Sequence, residues 1–251
     1  MRTNLIYLMS SLFLFSSNAL AIELCGNFAQ GELIVAKDGA KTSLFALKRD
    51  EAEKYRYQNI VFDVAKTKWD LQSIKGVAQN KVTPSSTDQA EIKREQKDVS
   101  LALHTNDKSR QDWKKGFILP LDGTISGHFG NQRIFNGVPK SPHSGTDIAA
   151  LAGTPVKASG DGKVLLSGGN YFYSGNMVII DHGQGLQTIY AHLQKTSVKK
   201  GDEVKQGDII GYVGQTGRAT GPHLHWGASV HNIRFRPHSL LDINTKSCRS
   251  Y

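Results

Sequence analysis

Residues 177–193 read MVIIDHGQGLQTIYAHL, two apolar stretches on either side of a short polar segment that contains two glycines. Met177 to Ile180 and Leu186 to Leu193 are rich in β-branched and aromatic residues, which favour β-strands. Asp181 to Gly185 between them has the composition of a hairpin loop. This stretch therefore predicts an antiparallel β-hairpin and indicates the structural class of the sequence around it.

Short apolar runs separated by glycine-containing turns continue on both sides of this hairpin, from Gly116 to about residue 241. Residues 204–213 hold two more short apolar runs around Gln206-Gly207-Asp208 and predict two further strands. Helical periodicity is nearly absent in this region. We therefore expect residues 116–243 to form one mainly antiparallel β domain, followed by a C-terminal tail over residues 244–251.

The sequence before this domain divides into two parts. Residues 22–83 contain alternating stretches such as 32–35 and 59–62, which predict a small β-rich domain. Residues 84–115 are polar, and Ser86 and Gln89 have the spacing of a capping box at the start of a helix from about 88 to 103. Because the apolar face of this helix is weak, we interpret it as a linker and not as part of a core.

A different pattern marks residues 1–21, which have Arg2 near the start, an apolar run from Leu5 to Phe15, and Ala19-Leu20-Ala21 at the end. A positive start, a short apolar run and small residues at the end are typical of a secretory signal peptide. The apolar run is too short to span a bilayer comfortably. The pattern predicts export with cleavage after Ala21, and a protein that is not integral to the membrane.

The predicted export bears on whether the two cysteines form a disulfide. Cys25 and Cys248 lie near the two ends of the exported chain, in a compartment where disulfides persist. We expect a bridge between them in preference to two free thiols, although the sequence does not show that their Cα atoms lie close enough to be joined.

The formal net charge of the chain is +9. Nucleic acid is a poor candidate partner for an exported protein without a recognisable nucleic-acid-binding module. Contact with an anionic envelope surface fits better, because long-range attraction would concentrate the protein there. Simple solubility is the alternative explanation.

Two short motifs combine residue types that bind metals. His143 and Asp147 are four residues apart, but Pro142 and Gly145 argue against a helix, so a loop or a bent strand must aim them. In His223-Leu224-His225, residues two apart in a strand face the same side, while Leu224 would point into a core. A catalytic zinc site takes three nitrogen or oxygen ligands and leaves one position open. His143, Asp147 and one histidine of the pair would supply such a set; a pair of solvent-facing histidines is the alternative.

A third motif, Tyr190-Ala191-His192-Leu193, ends the second strand of the hairpin. Together and in this order, the three motifs resemble the lysostaphin-type (LytM-like) zinc endopeptidases, which cut peptide bonds in bacterial peptidoglycan. The resemblance covers about residues 116 to 241 and includes further glycine-containing segments at 160–164, 201–204, 211–217 and 220–222. Residues 31–35 and 68–72 more loosely resemble the leading β region of exported Gram-negative members.

The resemblance implies one zinc ion per chain with His143, Asp147 and His225 as ligands. It implies His192 and His223 as a catalytic pair, an open groove across the sheet, and peptidoglycan cross-links as the substrate. For a periplasmic protein of the Gram-negative kind, the bond would join D-alanine to meso-diaminopimelate; for a Gram-positive source, glycine bridges are the alternative. A catalytically silent scaffold or amidase activator on the same fold is the alternative, which the complete ligand set disfavours. The oligomeric state and the separate tasks of the two catalytic histidines are left open.

Three further expectations concern residues outside these motifs. His182 and His231 are predicted to be surface or turn residues. The loop at residues 168–175 is a candidate groove wall, with an ordinary hairpin loop as the alternative. The N-terminal region could hold the groove partly closed, recruit a partner or brace the domain, and partial occlusion is our hypothesis.

Overall fold

The computed structural model describes residues 21–251, so nearly all of the predicted signal peptide lies outside the described residues. The mainly β class predicted from the sequence is confirmed. Within the described residues, no helix combines the length and the apolar character that crossing a membrane requires.

The described chain consists mainly of short strands, with few helices among them. The helices are α1 (Gln79–Val82), α2 (Ser86–Leu103) and two 3₁₀ turns, Asp112–Lys115 and Pro237–Leu240. The strands are β1 (Glu23–Cys25), β2 (Leu33–Asp38), β3 (Lys41–Ala46), β4 (Lys54–Tyr57), β5 (Ile60–Asp63), β6 (Leu71–Ile74), β7 (Thr124–Gly127), β8 (Gln132–Phe135), β9 (Val138–Pro139), β10 (Gly145–Ala149), β11 (Pro155–Lys157), β12 (Gly162–Tyr171), β13 (Gly175–Asp181), β14 (Leu186–Thr196), β15 (Glu203–Val204), β16 (Ile209–Val213), β17 (His223–Val230), β18 (Ile233–Phe235) and β19 (Cys248–Ser250).

The largest sheet has ten strands and contains the candidate site. Its central order is β15-β12-β13-β14-β17-β10-β7, with β18 added beside β17 and the β11–β16 pair attached through β14. All of its pairings are antiparallel. The predicted hairpin is confirmed as β13 and β14, and the two strands predicted within residues 204–213 are confirmed as β15 and β16.

The two faces of this sheet pack against different partners because side chains alternate along each strand. On one face, Tyr190 and Trp226 are fully buried in the main core. The other face carries Ile189 and Ala191, together with His225 and Gly227 of the neighbouring strand β17, and we call it the groove face. Burial of large apolar side chains at about 1.5–3 kcal/mol each stabilises this layer arrangement.

Helix α2 covers part of the groove face, which the sequence did not predict. Its Ala102 and Leu103 are buried against Ile189 and Ala191, so the interpretation of this helix as a linker outside any core is wrong at its C-terminal end. The weak apolar stripe misled the prediction, because only a few side chains near that end of the helix meet the sheet.

The helix itself is confirmed, but its capping box lies one residue earlier than predicted. The Ser85 hydroxyl accepts a bond from the Asp88 amide at 3.1 Å, and the Asp88 carboxylate accepts one from the Ser85 amide at 3.0 Å. A carboxylate in the first turn also interacts favourably with the positive end of the helix dipole, which the neutral Gln89 does not. Gln89 instead donates to the Pro84 carbonyl.

The two ends of the described chain meet in a second, four-stranded sheet of order β19-β1-β2-β3. Cys25 and Cys248 are register partners in β1 and β19 and form a disulfide, so the predicted bridge is confirmed. Residues 248–250 are therefore a paired strand and not a free tail. Because Leu33 and Val35 of this sheet share the main core with Trp226, the sheet is packed onto the large one.

The prediction that His182 is a surface or turn residue is only partly right. His182 lies at the β13–β14 loop as expected, but its side chain is fully buried, with Nδ1 2.6 Å from the Asp161 carbonyl and Nε2 2.7 Å from the Thr188 hydroxyl. The loop folds against the Phe117 ring, which stands 4.9 Å from the imidazole. His231 is exposed in a turn, as predicted.

Burial lowers the pKa of His182 to about 4, which makes it a source of acid sensitivity. The unfolded chain binds a proton below about pH 6.5 that the native chain does not bind until about pH 4. His182 therefore destabilises the fold as pH falls through this window, by up to about 3 kcal/mol. The neighbouring Asp181, whose pKa burial raises to about 6, acts in the opposite direction as pH rises.

The variant His182→Gln isolates this effect, because glutamine hydrogen-bonds but does not titrate. Urea unfolding at pH 7, 6, 5 and 4 should show a shallower loss of unfolding free energy towards acid in the variant than in the wild type. Parallel pH dependences in the two proteins would contradict the assignment.

Candidate metal centre

Two histidines and one carboxylate meet at the groove face. His143 Nε2 lies 3.0 Å from Asp147 Oδ1 and 3.0 Å from His225 Nδ1, and His225 Nδ1 lies 2.9 Å from Asp147 Oδ1. The three atoms form a nearly equilateral triangle. These are the three residues that the resemblance implies as zinc ligands, and the fold brings them together from positions 82 residues apart.

The pairing of β10 with β17 creates this arrangement. Asp147 is the register partner of His225, so the two side chains project from the same face. His223 and His225 share that face because they are two residues apart, and Leu224 is fully buried on the opposite face, as predicted. His143 reaches the triangle from the loop that precedes β10.

His192 reaches the site through a bulge in β14. Ala191 is the register partner of His225, so a regular strand would turn His192 to the opposite face. The pairing with β13 slips at this point, because Asn176 faces Leu193 while Val178 faces Tyr190. His192 takes a φ of 62°, in the left-handed region that side chains other than glycine rarely adopt. The bulge places its ring 4.7 Å from that of His223 and 6.0 Å from that of His225.

Backbone carbonyls fix the orientation of three of these imidazoles. Nδ1 of His143, His192 and His223 lies 3.0, 2.8 and 2.8 Å from the carbonyls of His128, Thr216 and Gly221. A carbonyl can only accept, so each Nδ1 carries the proton and each Nε2 keeps a lone pair. The three Nε2 atoms are thereby prepared to bind a metal or to accept a proton.

Charge at the site is arranged around Asp147. Burial alone would raise the pKa of Asp147, but the close imidazoles of His143 and His225 hold the pKa well below the usual value. Arg133, in β8, donates to the other carboxylate oxygen, Oδ2, which leaves Oδ1 for the triangle. The sequence motifs did not single out Arg133, since it lies ten residues before His143 and its contact with Asp147 depends on how the chain folds.

Three of the histidines, His143, His192 and His225, are neutral around pH 7. Burial lowers the pKa of His143, and it lowers the pKa of His225 to about 4. The pKa of His192 falls to about 3, because of burial and then because of the nearby His223 and His225. Neutral imidazoles are the form that binds metals and accepts protons.

The donor set fits a zinc ion. Two imidazole nitrogens and one carboxylate oxygen are common ligands of catalytic zinc, and bonds of about 2.0–2.2 Å in a tetrahedral site would separate the ligand atoms by about 3.3 Å. The observed triangle, with edges of 2.9 to 3.0 Å, would need to open by a few tenths of an ångström. Such ligands need hydrogen bonds that orient them. The His128 carbonyl orients His143 in this way, and the Arg133 guanidinium orients Asp147.

The site opens into a cavity of about 260 Å³ beside the triangle. Tyr173 and Ser174 line this cavity, whereas Phe172 packs inward, so part of the loop at residues 168–175 is a groove wall as proposed from the sequence. Arg218 also lines it, held between the rings of Phe135 and Tyr173 at 4.5 and 4.2 Å.

The N-terminal region borders the neighbouring part of the groove. Strand β6 pairs in parallel with β8, and its Gln72 lines a small cavity together with Asp147 and His223. Lys81 of α1 donates to the Phe172 carbonyl at 2.8 Å, which ties this segment to the loop on the other side. These contacts agree with the hypothesis of partial occlusion, which stays a prediction.

Gly145 is a position where a side chain would disturb the triangle. A Cβ there would lie 2.7 Å from His225 Nε2 and 2.5 Å from the Trp226 carbonyl. We therefore expect Gly145→Ala to displace the His225 imidazole and to weaken metal binding by at least about 10-fold, as loss of an orienting contact does. Competition with a chromogenic zinc chelator measures this; the matched variant Gly221→Ala, with nothing within 4 Å of its Cβ, should bind as the wild type does. Equal affinities in all three proteins would contradict the steric argument.

An antiparallel β-sheet with a His–Asp–His triangle and two further histidines on its open face defines a lysostaphin-type peptidase domain. The sequence profile described as Peptidase family M23 matches residues 141–237, so this part of the chain is a peptidase family M23 domain.

Similar proteins agree with this assignment. The peptidoglycan DD-endopeptidases ShyA and ShyC of Vibrio cholerae are 40% and 44% identical over 173 and 138 residues, which cover 65% and 53% of this chain. The chain spans only 39% and 31% of the lengths of those two relatives. A crystal structure assigned to peptidase M23 from Pseudomonas aeruginosa has 28% identity and a TM-score of 0.58, with 90% of each chain covered.

Proposed function

We propose that this protein is a zinc-dependent endopeptidase that hydrolyses the peptide cross-links of peptidoglycan. His143, Asp147 and His225 would hold one zinc ion, and His192 and His223 would act as the catalytic pair. The observation that carries the proposal is the triangle of three ligand atoms within about 3 Å of one another, with two more imidazoles on the same face. The names of ShyA and ShyC support peptidoglycan as the substrate.

Zinc at this position would supply a Lewis acid that polarises the scissile carbonyl and activates water at neutral pH. The protein's own residues would then move the protons. His192 and His223 each keep a free Nε2 lone pair, since their Nδ1 protons are held by the Thr216 and Gly221 carbonyls. One of them can accept a proton from the attacking water, and the resulting imidazolium can donate it to the leaving amine. No glutamate is needed as a base in this scheme.

The substrate we propose is the bond between D-alanine and meso-diaminopimelate. The DD-endopeptidase names of the relatives support this bond over a glycine bridge. We further propose that the protein is exported to the periplasm after cleavage following Ala21, where its net charge of +9 would favour contact with anionic envelope surfaces. The pattern of residues 1–21 supports export.

Digestion of a purified cross-linked muropeptide dimer tests this function. Mass spectrometry should show two monomers whose summed mass exceeds that of the dimer by one water, with a new D-alanine carboxylate and a new diaminopimelate amine. A dimer that stays intact would contradict the proposal. An amidase activator would behave differently: it would leave the dimer unchanged and accelerate the release of peptides from glycan strands by an added amidase.

A further inference from the structure

Arg234 is a second basic residue near the metal centre, besides Arg218, and it has no counter-charge among the described residues. Arg234 lies in β18, and its Nη1 is buried without a hydrogen-bond partner in the described part of the chain. Burial lowers the pKa of Arg234 to about 10, and no nearby carboxylate opposes that effect. A buried guanidinium without a partner is costly, so such residues usually have one. Nη1 of Arg234 has no such partner within residues 21–251.

Two residues beside Arg234 in the sheet also have a buried polar atom without a hydrogen-bond partner among the described residues. Arg234 is the register partner of Ser229 in β17, and Ser229 is the register partner of Gln187 in β14. The Ser229 hydroxyl and the Gln187 Oε1 are also buried without a hydrogen-bond partner among the described residues. Register partners lie side by side on one face of a sheet, so these groups form a polar row across three strands of the groove face.

Arg234 lines a cavity of about 400 Å³ between α2 and the groove face. Tyr173 and Ser174 line both this cavity and the cavity at the metal centre, so the two cavities are adjacent. The Nη1 atom of Arg234 lies 3.5 Å from the position of a Cβ on Gly227, two residues along β17 from His225. At about 3.4 Å per residue, this is about 7 Å along the strand from the metal centre.

The other charged groups near this cavity do not neutralise Arg234. Glu95 lines the opposite wall, but its carboxylate accepts the Phe172 amide at 2.8 to 2.9 Å and does not contribute to the pKa of Arg234. Arg218 differs from Arg234, because aromatic rings on two sides compensate for its burial. Arg234 thus lines this cavity and has no acidic partner in the described chain.

We propose that Arg234 binds a free carboxylate of the substrate peptide, on the residue at the amine side of the bond that is cut. A planar guanidinium binds a carboxylate through two parallel hydrogen bonds, which recognise it more specifically than a point charge does. This inference rests on the proposed function. In the D-alanyl–diaminopimelate link, the residue on the amine side of the cut bond carries such a carboxylate, whereas a glycine bridge carries none.

A matched pair of substrates tests this subsite. One is the cross-linked dimer with the free diaminopimelate carboxylate, and the other has that carboxylate converted to an amide. The wild type should cleave the acid with a kcat/KM about 10- to 100-fold higher than the amide, the range of a charge-assisted pair. Arg234→Gln should reduce this ratio to about one. Arg56→Gln, which removes the same charge from the exposed strand β4, should keep the ratio of the wild type.

Binding of the same two peptides, measured by calorimetry, separates this inference from the proposed function. A wild type that cleaves neither peptide would refute the endopeptidase proposal, yet tighter binding of the acid that is lost in Arg234→Gln would still support the subsite. Equal binding and cleavage of acid and amide by the wild type would overturn the subsite alone, as would a preference that survives in Arg234→Gln. Because Arg234→Gln removes an unpaired buried charge, it should not lower the melting temperature. If it does, Arg234→Lys serves as the second variant. It keeps the charge without the planar fork, so its ratio of acid to amide cleavage should lie between those of the wild type and Arg234→Gln.

Discussion

Replacing His225 with alanine is expected to abolish zinc binding and peptidoglycan hydrolysis together. The change removes one corner of the triangle and leaves two ligand atoms, His143 Nε2 and Asp147 Oδ1, which are too few for a catalytic zinc site. A Lewis acid contributes several kcal/mol to such a reaction, so its loss should reduce kcat/KM by roughly 1000-fold or more. Elemental analysis of the purified variant and digestion of a muropeptide dimer measure the two effects.

His231→Ala is the matched control for this experiment. It makes the same substitution at an exposed turn close in sequence but outside the site. It should keep the zinc content and the activity of the wild type. A His225→Ala protein that still held one zinc per chain would show that the metal binds elsewhere.

The second large effect concerns His192, which should be needed for catalysis and not for metal binding. His192→Ala and His192→Gly should both retain zinc, because the three ligand atoms are untouched, and both should lose about 100- to 10,000-fold in kcat through loss of a proton-transfer group. Because His192 and His223 stand 4.7 Å apart and would work as a unit, the double variant should be little worse than either single one.

The two substitutions at residue 192 should differ in stability. His192 holds a φ of 62°, which costs a residue with a Cβ about 1 kcal/mol and costs glycine nothing. The glycine variant should therefore unfold at a higher urea concentration than the alanine variant, by about 1 kcal/mol in unfolding free energy. Such a result would mean that the fold accepts backbone strain in order to place this imidazole. Equal stability of the two variants, or loss of zinc in both, would refute this account of the bulge.

How much of the site the sequence could predict depends on the range of the interactions involved. The common face of His223 and His225 follows from strand alternation, and the burial of Leu224 follows with it. The position of His192 does not follow, because alternation places it on the wrong face. Its bulge depends on the slipped pairing with β13, which involves Asn176 in a different strand. Long-range pairing of this kind leaves no local sequence signal.

The other features that the sequence did not predict also depend on contacts between distant parts of the chain. Arg133 meets Asp147 only because β8 and the site come together in the folded protein. The packing of α2 on the sheet depends on a few residues at one end of the helix, including Leu103, which a search for a continuous apolar stripe does not detect. The disulfide could be expected from export, but the strand that contains Cys248 could not, since its partner β1 lies at the other end of the chain.

The most direct test of the central claim is the zinc content of the purified wild-type protein, measured on the same sample that is used to digest a cross-linked muropeptide dimer. The account predicts about one zinc per chain, cleavage of the D-alanyl–diaminopimelate bond, and loss of cleavage when a chelator removes the metal. A protein that cleaves this bond equally well without zinc, or that holds zinc at the triangle and leaves every cross-link intact, would contradict it.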